Sequence, residues 1–289
     1  IALRALTPIH SGTVAIKPQF DFAARFTDGV APVIIGRKYG YINAAGKFII
    51  NPRFDYGWHF RQGYAKILQG KRFGYINTAG KVVVKPQFDS ASHDFIENLA
   101  LVKIGGPYGK WGFINPRGRY VINPQYTNAM HFSEGLAAVM PQTKWGFVDK
   151  RGKMIIKPIF ERAVSFREGY AAVQFNGKWG YVNKKGQLVI NPRFDRAKSF
   201  YSGIAPIRMS GKWGYINHRG KYLINPQFDA VSLRISENMA QVRVGSKWGY
   251  IDNRGNQVIA PTYQETTSFS EGLAAVKFGG KWGYINKKG

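Results

Sequence analysis

The chain has 289 residues, 44% of them hydrophobic and 15% aromatic, enough to build one large core or two ordinary ones. It contains no cysteine, so a disulfide framework and a thiolate metal site are both excluded. Lys and Arg number 42 against 16 Asp and Glu, and the net charge of +26 attracts polyanions and acidic proteins while opposing self-association.

No apolar stretch approaches the ~20 residues that a membrane-spanning helix needs. The 34 glycines and 14 prolines are scattered, which marks many turns and no disordered run. The sequence opens on Ile1 with no basic-then-apolar leader, so a removed signal peptide or a fragment of a longer protein is expected. A secreted or envelope location and a cytoplasmic peripheral complex both fit.

Residues 1–12 match nothing else in the chain and read as a non-repeat N-terminal arm. From residue 13 to 289 one pattern recurs. Anchored on the Gly of Trp-Gly or its equivalent, it falls at Gly40, Gly74, Gly112, Gly146, Gly180, Gly214, Gly249 and Gly283, spaced by 34, 38, 34, 34, 34, 35 and 34 residues. A fixed period of this length signals a repeat architecture. The units run over 13–46, 47–80, 81–118, 119–152, 153–186, 187–220, 221–255 and 256–289, and together they form one domain.

The unit at 187–220 shows the expected elements in order. Gln187–Ile190 is a short β-branched strand, ended by Pro192, which cannot donate to a ladder. Arg193–Gly203 reads as a loop anchored by Phe194, Ala197 and Phe200. Ile204–Arg208 is a second strand, Ser210-Gly211 a tight hairpin, and Lys212–Asn217 a third strand. His218-Arg219-Gly220 then turns into the next unit. No apolar 3.6-residue period lasts ten residues, so helices are not expected.

The fold class is therefore all-β, with eight three-stranded units. The last unit lacks the strand that precedes Pro, and Val14–Lys17 is an orphan of that type. Joining the two predicts a closed β-propeller whose N-terminal strand completes the last blade. The alternative is an open β-solenoid.

The recurring Lys-Trp-Gly-Tyr/Phe-Ile/Val-Asn/Asp-x-x-Gly, followed by Ile-x-Pro-x-Phe-Asp and Phe-x-Glu-Gly-hydrophobic-Ala, resembles the bacterial WG (KWG) repeat proteins over essentially all of 13–289. Tyr39-Gly40 and Phe73-Gly74 depart from it by replacing Trp with another aromatic. The resemblance implies an extracellular or scaffold-type interaction module rather than an enzyme, and it supplies no site residues.

The acids sit at two repeat positions. Asp21, Asp55, Asp89, Glu161, Asp195 and Asp229 follow the Phe of Pro-x-Phe, while Asp28, Glu97, Glu134, Glu168, Glu237 and Glu271 precede the loop glycine or its equivalent. A residue tied to a repeat position does the same structural job in each unit, here accepting backbone N–H groups or pairing with Lys and Arg. By the same reasoning Trp111, Trp145, Trp179, Trp213, Trp248 and Trp282 are expected to pack between units, the next Gly leaving room for a close backbone. Trp58 lies outside the motif and is the candidate for an exposed aromatic, or a plug in one gap. No catalytic set, nucleotide motif or metal-ligand spacing is present, and no cofactor is expected.

The candidate partner-binding residues are the cations of the Asn-x-x-Gly turn: Lys47, Lys81, Arg117, Arg119, Lys150, Arg151, Lys153, Lys184, Lys185, Arg219, Lys221, Arg254, Lys287 and Lys288, with Trp58 beside them. A turn at one place in every unit puts these charges in a ring or stripe. The function this favours is a non-enzymatic scaffold or linker-type adaptor docking acidic protein partners, including acidic assemblies such as light-harvesting antennae. The alternative is a secreted or cell-surface module binding anionic glycan, cell wall or envelope lipid. Nucleic acid is the weaker polyanion, since no groove-entering helix is expected.

Overall fold

The structure is a computed structural model and describes residues 14–232 and 235–289; the arm over 1–12 lies outside them. The architecture is all-β, with one antiparallel sheet for each of eight successive stretches of chain. The described residues hold no helix beyond a 3-10 turn at Gly106–Tyr108, in the one lengthened hairpin. No helix among them is long and apolar enough to cross a membrane.

The described residues pack as two compact units, one over those up to Gly109 and Phe113–Tyr120, the other over those of Lys110–Gly112 and Val121–Gly289. In the second, the sixth sheet represents its neighbours. Its strands are Arg196–Ala197, Ile204–Met209, Lys212–Asn217 and Tyr222–Phe228, hydrogen-bonded in that order. They are called here the outermost, entry, tryptophan and proline strands. The second sheet, in the first unit, has the same order: Tyr56–Gly57, Tyr64–Gln69, Arg72–Asn77 and Val82–Phe88.

Local chemistry dictates each piece. Ser210 and Gly211 both have positive φ (49° and 80°), the combination a two-residue hairpin with the twist of its strands requires. Met209 therefore pairs with Lys212 and Ile207 with Gly214. Between the tryptophan and proline strands the register shifts twice, after Trp213↔Phe228 and again after Tyr215↔Ile224. The shift lies where Pro226 meets Gly214. A Cβ on Gly214 would stand 2.5 Å from the Ile224 carbonyl oxygen and 2.7 Å from the Pro226 nitrogen. The same approach recurs at Gly40, Gly74, Gly112, Gly146, Gly180 and Gly249.

Two expectations are corrected here. The sheets hold four strands, because the two residues after each Phe-Asp, assigned to a loop from sequence, lie along the entry strand. Asp195 and Lys198 donate their N–H groups to the Arg208 and Pro206 carbonyls and bracket the outermost strand. The proline also does not end its strand: Tyr222–Phe228 runs straight through Pro226, whose missing N–H falls in the irregular stretch where no ladder bond is lost.

A third correction concerns the N-terminal strand. The last sheet has only three strands, Glu265–Thr266, Leu273–Phe278 and Lys281–Asn286, and Val14–Lys17 forms no strand. Ile16 instead lies against Gly46, and Phe20 packs edge-on against Phe48. The N-terminal strand expected to complete the last sheet is therefore not formed by Val14–Lys17.

Within each unit, successive sheets are joined by one repeated core. Tyr181, Ile190 and Phe194 of the fifth sheet pack on Ala197, Phe200, Ala205 and Ile207 of the sixth. Tyr181 is fully buried, and its hydroxyl donates to the Lys198 carbonyl at 2.7 Å. Tyr41, Tyr75 and Tyr250 make the same bond to residues 58, 92 and 267. Burial pushes the Tyr181 phenol far above its ordinary range, so it remains a donor at any working pH.

These contacts give a paired test. Gly214→Ala is expected to destabilise the protein by about 2–4 kcal/mol, because its methyl meets backbone that cannot withdraw. Gly283→Ala, with nothing within 4 Å of the added carbon, is expected to stay within about 0.5 kcal/mol of the parent. Urea midpoints of the two variants check the contrast, and equal losses would show that the proline strand is not the cause.

Candidate functional site

The turn between the tryptophan and proline strands is built by its first residue. The Asn183 side-chain oxygen accepts the N–H groups of Lys185 and Gln187, both at 3.0 Å, and Gly186 closes the turn at φ 81°. Asn43, Asn115, Asp149, Asn217 and Asp252 do the same in their own turns. The closing glycine also packs on the preceding sheet, Gly186 on Ile156 and Gly220 on Ile190. Backbone, Asn or Asp, and glycine thus complete the turn. The two residues between them and the one after are free to carry any side chain.

Those free positions hold the predicted cations, and every one of the fourteen is exposed. In the second unit they recur at the same end of successive sheets, with Arg151 and Lys153, then Lys185, Arg219 and Lys221, Arg254, and Lys288. In the first unit Lys47, Lys81, Arg117 and Arg119 hold the same positions. None of these eleven makes an ion pair. Lys184 and Lys287 differ. Lys184 reaches Glu134 at 3.2 Å and Lys287 reaches Glu237 at 2.9 Å, and His218 at the same turn position meets Glu168 at 3.1 Å. They serve the joint between sheets, so Lys184 is not the free contact that the sequence suggests. Lys150 holds the same turn position and is also engaged.

The acids behave as expected from their repeat positions. Asp195 accepts the Ser210 N–H at 2.8 Å, holding the hairpin of its own sheet, and pairs at 2.7 Å with Lys178 of the sheet before. Asp55 joins Lys38 to the Gly70 N–H, Asp89 joins Arg72 to Gly106, and Asp229 joins Lys212 to Gly245. The second acid position links sheets over a longer interval. Glu168 accepts the Gly203 N–H and Asp28 that of Gly63, each 35 residues on. The Lys178 ammonium beside Asp195 and the Lys212 ammonium beside Asp229 hold both carboxyls below the ordinary value of 3.8.

The tryptophans are packing residues. Trp145 is buried, and Trp111, Trp179, Trp213 and Trp248 are half-buried at the sheet junctions; only Trp282, on the last strand, is largely exposed. Trp58 is a plug rather than a platform. Its ring lies against Tyr56 (4.3 Å), His93 (5.5 Å) and Phe73 (5.9 Å). Beneath it the Lys66 ammonium sits 4.2 Å from the indole centroid and donates to the Ala91 carbonyl at 3.2 Å. Lys66 is 95% buried, and its desolvation lowers the ammonium to about 8.

Sequence reasoning treated all units as equivalent, and Lys66 breaks that. The equivalent positions carry Pro32, Leu101, Ala138, Ala172, Pro206, Gln241 and Ala275. Comparing the repeats column by column would have exposed it. Among the described residues no cluster of His, Asp or Glu could hold a metal ion.

The model of the WG containing repeat matches eight times in tandem, over residues 10–39, 39–72, 73–108, 111–140, 145–179, 179–213, 213–248 and 248–282. The chain belongs to the WG repeat family. A search of curated proteins returns no match. Among solved structures, a eukaryotic initiation factor is similar over 98% of this chain and 89% of its own, at 12% identity and a TM-score of 0.56. Kluyveromyces lactis Hsv2 matches 74% of this chain and 86% of its own at 10% identity and 0.44. The extracellular domain of a putative one-component system from B. thetaiotaomicron matches 93% and 43% at 9% and 0.41. At such identity the first likeness speaks for the fold alone, and the other two carry no argument.

Two pH responses follow. The folded carboxyls titrate below the unfolded ones, so their stabilisation is complete above about pH 4 and fades as the pH falls through the lowered values. Asp195→Asn is expected to lower stability at pH 6 and to flatten its acid limb in thermal scans. Lys66 runs the other way. Its folded ammonium is lowered from 10.5 to about 8, so the unfolded chain binds more protons between these values and stability rises with pH there. Lys66→Met is expected to stabilise by on the order of 1–3 kcal/mol at pH 7. That gain should shrink towards pH 10; a gain independent of pH would mean the charge carries no cost.

Proposed function

We propose that this WG repeat protein is a non-catalytic interaction module that docks acidic protein surfaces through the cations of its turns. One observation carries the reading. Nearly every described carboxylate is consumed inside the fold, by a hairpin N–H, a neighbouring sheet's glycine, or a Lys or Arg across a joint. The turn cations occupy positions that the turn does not need, and eleven of them are unpaired. A charge the fold does not use is available to a partner.

The repeat supplies the rest. Each turn is fixed to the sheet before it, so neighbouring cations within a unit are presented in register. Several weak contacts made at once by a rigid array give avidity that no single Lys or Arg provides. Exposed pairs are individually worth about 0–1 kcal/mol, so the binding energy must come from their number. A linker-type role in a larger acidic assembly uses this array most directly.

The test is a native pull-down at low salt, run in parallel with a variant carrying Arg151→Glu, Lys153→Glu, Lys185→Glu and Arg219→Glu. These side chains are exposed and unpaired, so the variant is expected to keep its melting temperature. The parent is expected to retain an acidic protein in stoichiometric amount, with affinity falling at least about tenfold as salt is raised over the physiological range. The variant is expected to lose it. A partner retained equally by the variant, or unaffected by salt, would remove this reading.

A further inference from the structure

The second unit has an open groove at the position that Trp58 fills in the first. Trp58 stands three residues after Asp55; the matching residues are Met130, Val164 and Lys198, all of which line a cavity of about 630 Å³. That volume lies in the range of small-molecule sites, ~300–1,000 Å³. Trp145 and Trp179, from the fourth and fifth sheets, border it. Arg162 and Arg196, from the outermost strands of the fifth and sixth sheets, border it as well.

The two arginines are specific to this place. The other six sheets carry Phe22, Tyr56, Ser90, Asn128, Ala230 and Glu265 at their position, so repeat architecture does not demand a cation there. Both are exposed, and neither makes an ion pair or a side-chain hydrogen bond. The one carboxylate in the groove, Asp195, is already committed to Lys178 and the Ser210 N–H. The amine of Lys198 adds a third unpaired cation. The groove is therefore positive, bordered by indoles, and without an internal partner for its charge.

We infer that this groove binds a carboxylated sugar, a short run of uronic acid units. The chemistry fits on two counts. A guanidinium takes a carboxylate through two parallel N–H bonds, which an isolated lysine cannot do. The flat C–H face of a pyranose can lie against the half-buried indole of Trp179, burying apolar surface that an acidic peptide side chain does not offer. The arginines also come from two different, neighbouring sheets, so the groove offers two separate guanidinium sites. Two separate guanidinium sites suit two carboxylates of one oligosaccharide better than a single small anion. The inference uses none of the turn cations and stands or falls independently of the docking role proposed for them.

The experiment is calorimetric titration of the full chain with a galacturonate tetrasaccharide, its neutral galactose counterpart and a tetra-aspartate peptide. Saturable binding of the uronate is expected, with the neutral sugar and the peptide each at least about tenfold weaker. Arg162→Ala with Arg196→Ala is expected to weaken the uronate at least about tenfold while leaving the melting temperature unchanged, since both side chains are exposed and unpaired. The turn variant with four glutamates, at Arg151, Lys153, Lys185 and Arg219, is expected to bind it within about threefold of the parent. Absence of uronate binding overturns the inference. So does equal binding of the neutral sugar or the peptide, or an affinity that the double alanine variant leaves unchanged.

Discussion

The missing side chain at the glycine after each tryptophan is the constraint on which the repeat depends. The proline strand crosses so close that its carbonyl and proline nitrogen occupy the place of a Cβ. That approach lets the strand run through a proline, shift its register twice and still reach the Phe that seals the next joint, as Tyr222–Phe228 does. Tryptophan, glycine, proline and phenylalanine are therefore one device. The aromatic position tolerates Tyr39 and Phe73 because it only has to fill space; the glycine tolerates nothing among the seven sheets that have a proline strand.

Joints between sheets draw on three kinds of bond: a buried tyrosine hydroxyl on a backbone carbonyl where the position is Tyr rather than Phe113 or Phe147, an aspartate or glutamate bridging a cation and a hairpin N–H, and a second acid on the N–H of the next loop's glycine. Each is modest alone, since a hydrogen bond contributes on the order of 1 kcal/mol net. Their repetition makes each sheet dependent on its neighbours, and stability accumulates joint by joint as in other repeat proteins. The last strand, Lys281–Asn286, shows what a sheet looks like without its proline strand: Gly283 has no close neighbour, and Trp282 and Tyr284 stand exposed.

The period, the strand sequence and the structural role of the acids were legible in the sequence because each is written eight times, and repetition separates a demand of the fold from an accident. The outermost strands were not legible. Two residues such as Arg196-Ala197 have no pattern of their own; backbone bonds from Asp195 and Lys198 to the Arg208 and Pro206 carbonyls hold them beside the entry strand. Nor was the run through Pro226, since the rule that proline ends a strand assumes a regular ladder, and this ladder is shifted where the proline sits. The orphan strand was misread for a related reason: Val14–Lys17 has the composition of the missing strand, but composition does not place a segment against an edge. Lys66, Arg162 and Arg196 were missed because a search for what repeats passes over what does not.

The fold also explains why the charge is so one-sided. Each repeat has two positions that suit an acid, each filled by an acid in six of the eight repeats, and nearly all of these carboxylates are bonded within the protein, so few acids are left over for the surface. Asp195 and Glu168 are as much part of the sheet joints as Tyr181 is. Many cations are so bound, among them Lys38, Arg72, Lys178 and Lys212 in the joints, Lys66 under Trp58, and Lys184 and Lys287 on the second acid. Arg117, Arg151, Lys185, Arg219, Arg254 and Lys288 stand at turn positions that Ala45 and Ala79 fill equally well in the first two repeats. Neutral residues being sufficient there, the fold itself gives no reason for Arg151, Lys185 or Arg219. Their cost is mutual repulsion along the row, and a binding partner of opposite charge is the condition under which that repulsion becomes attraction.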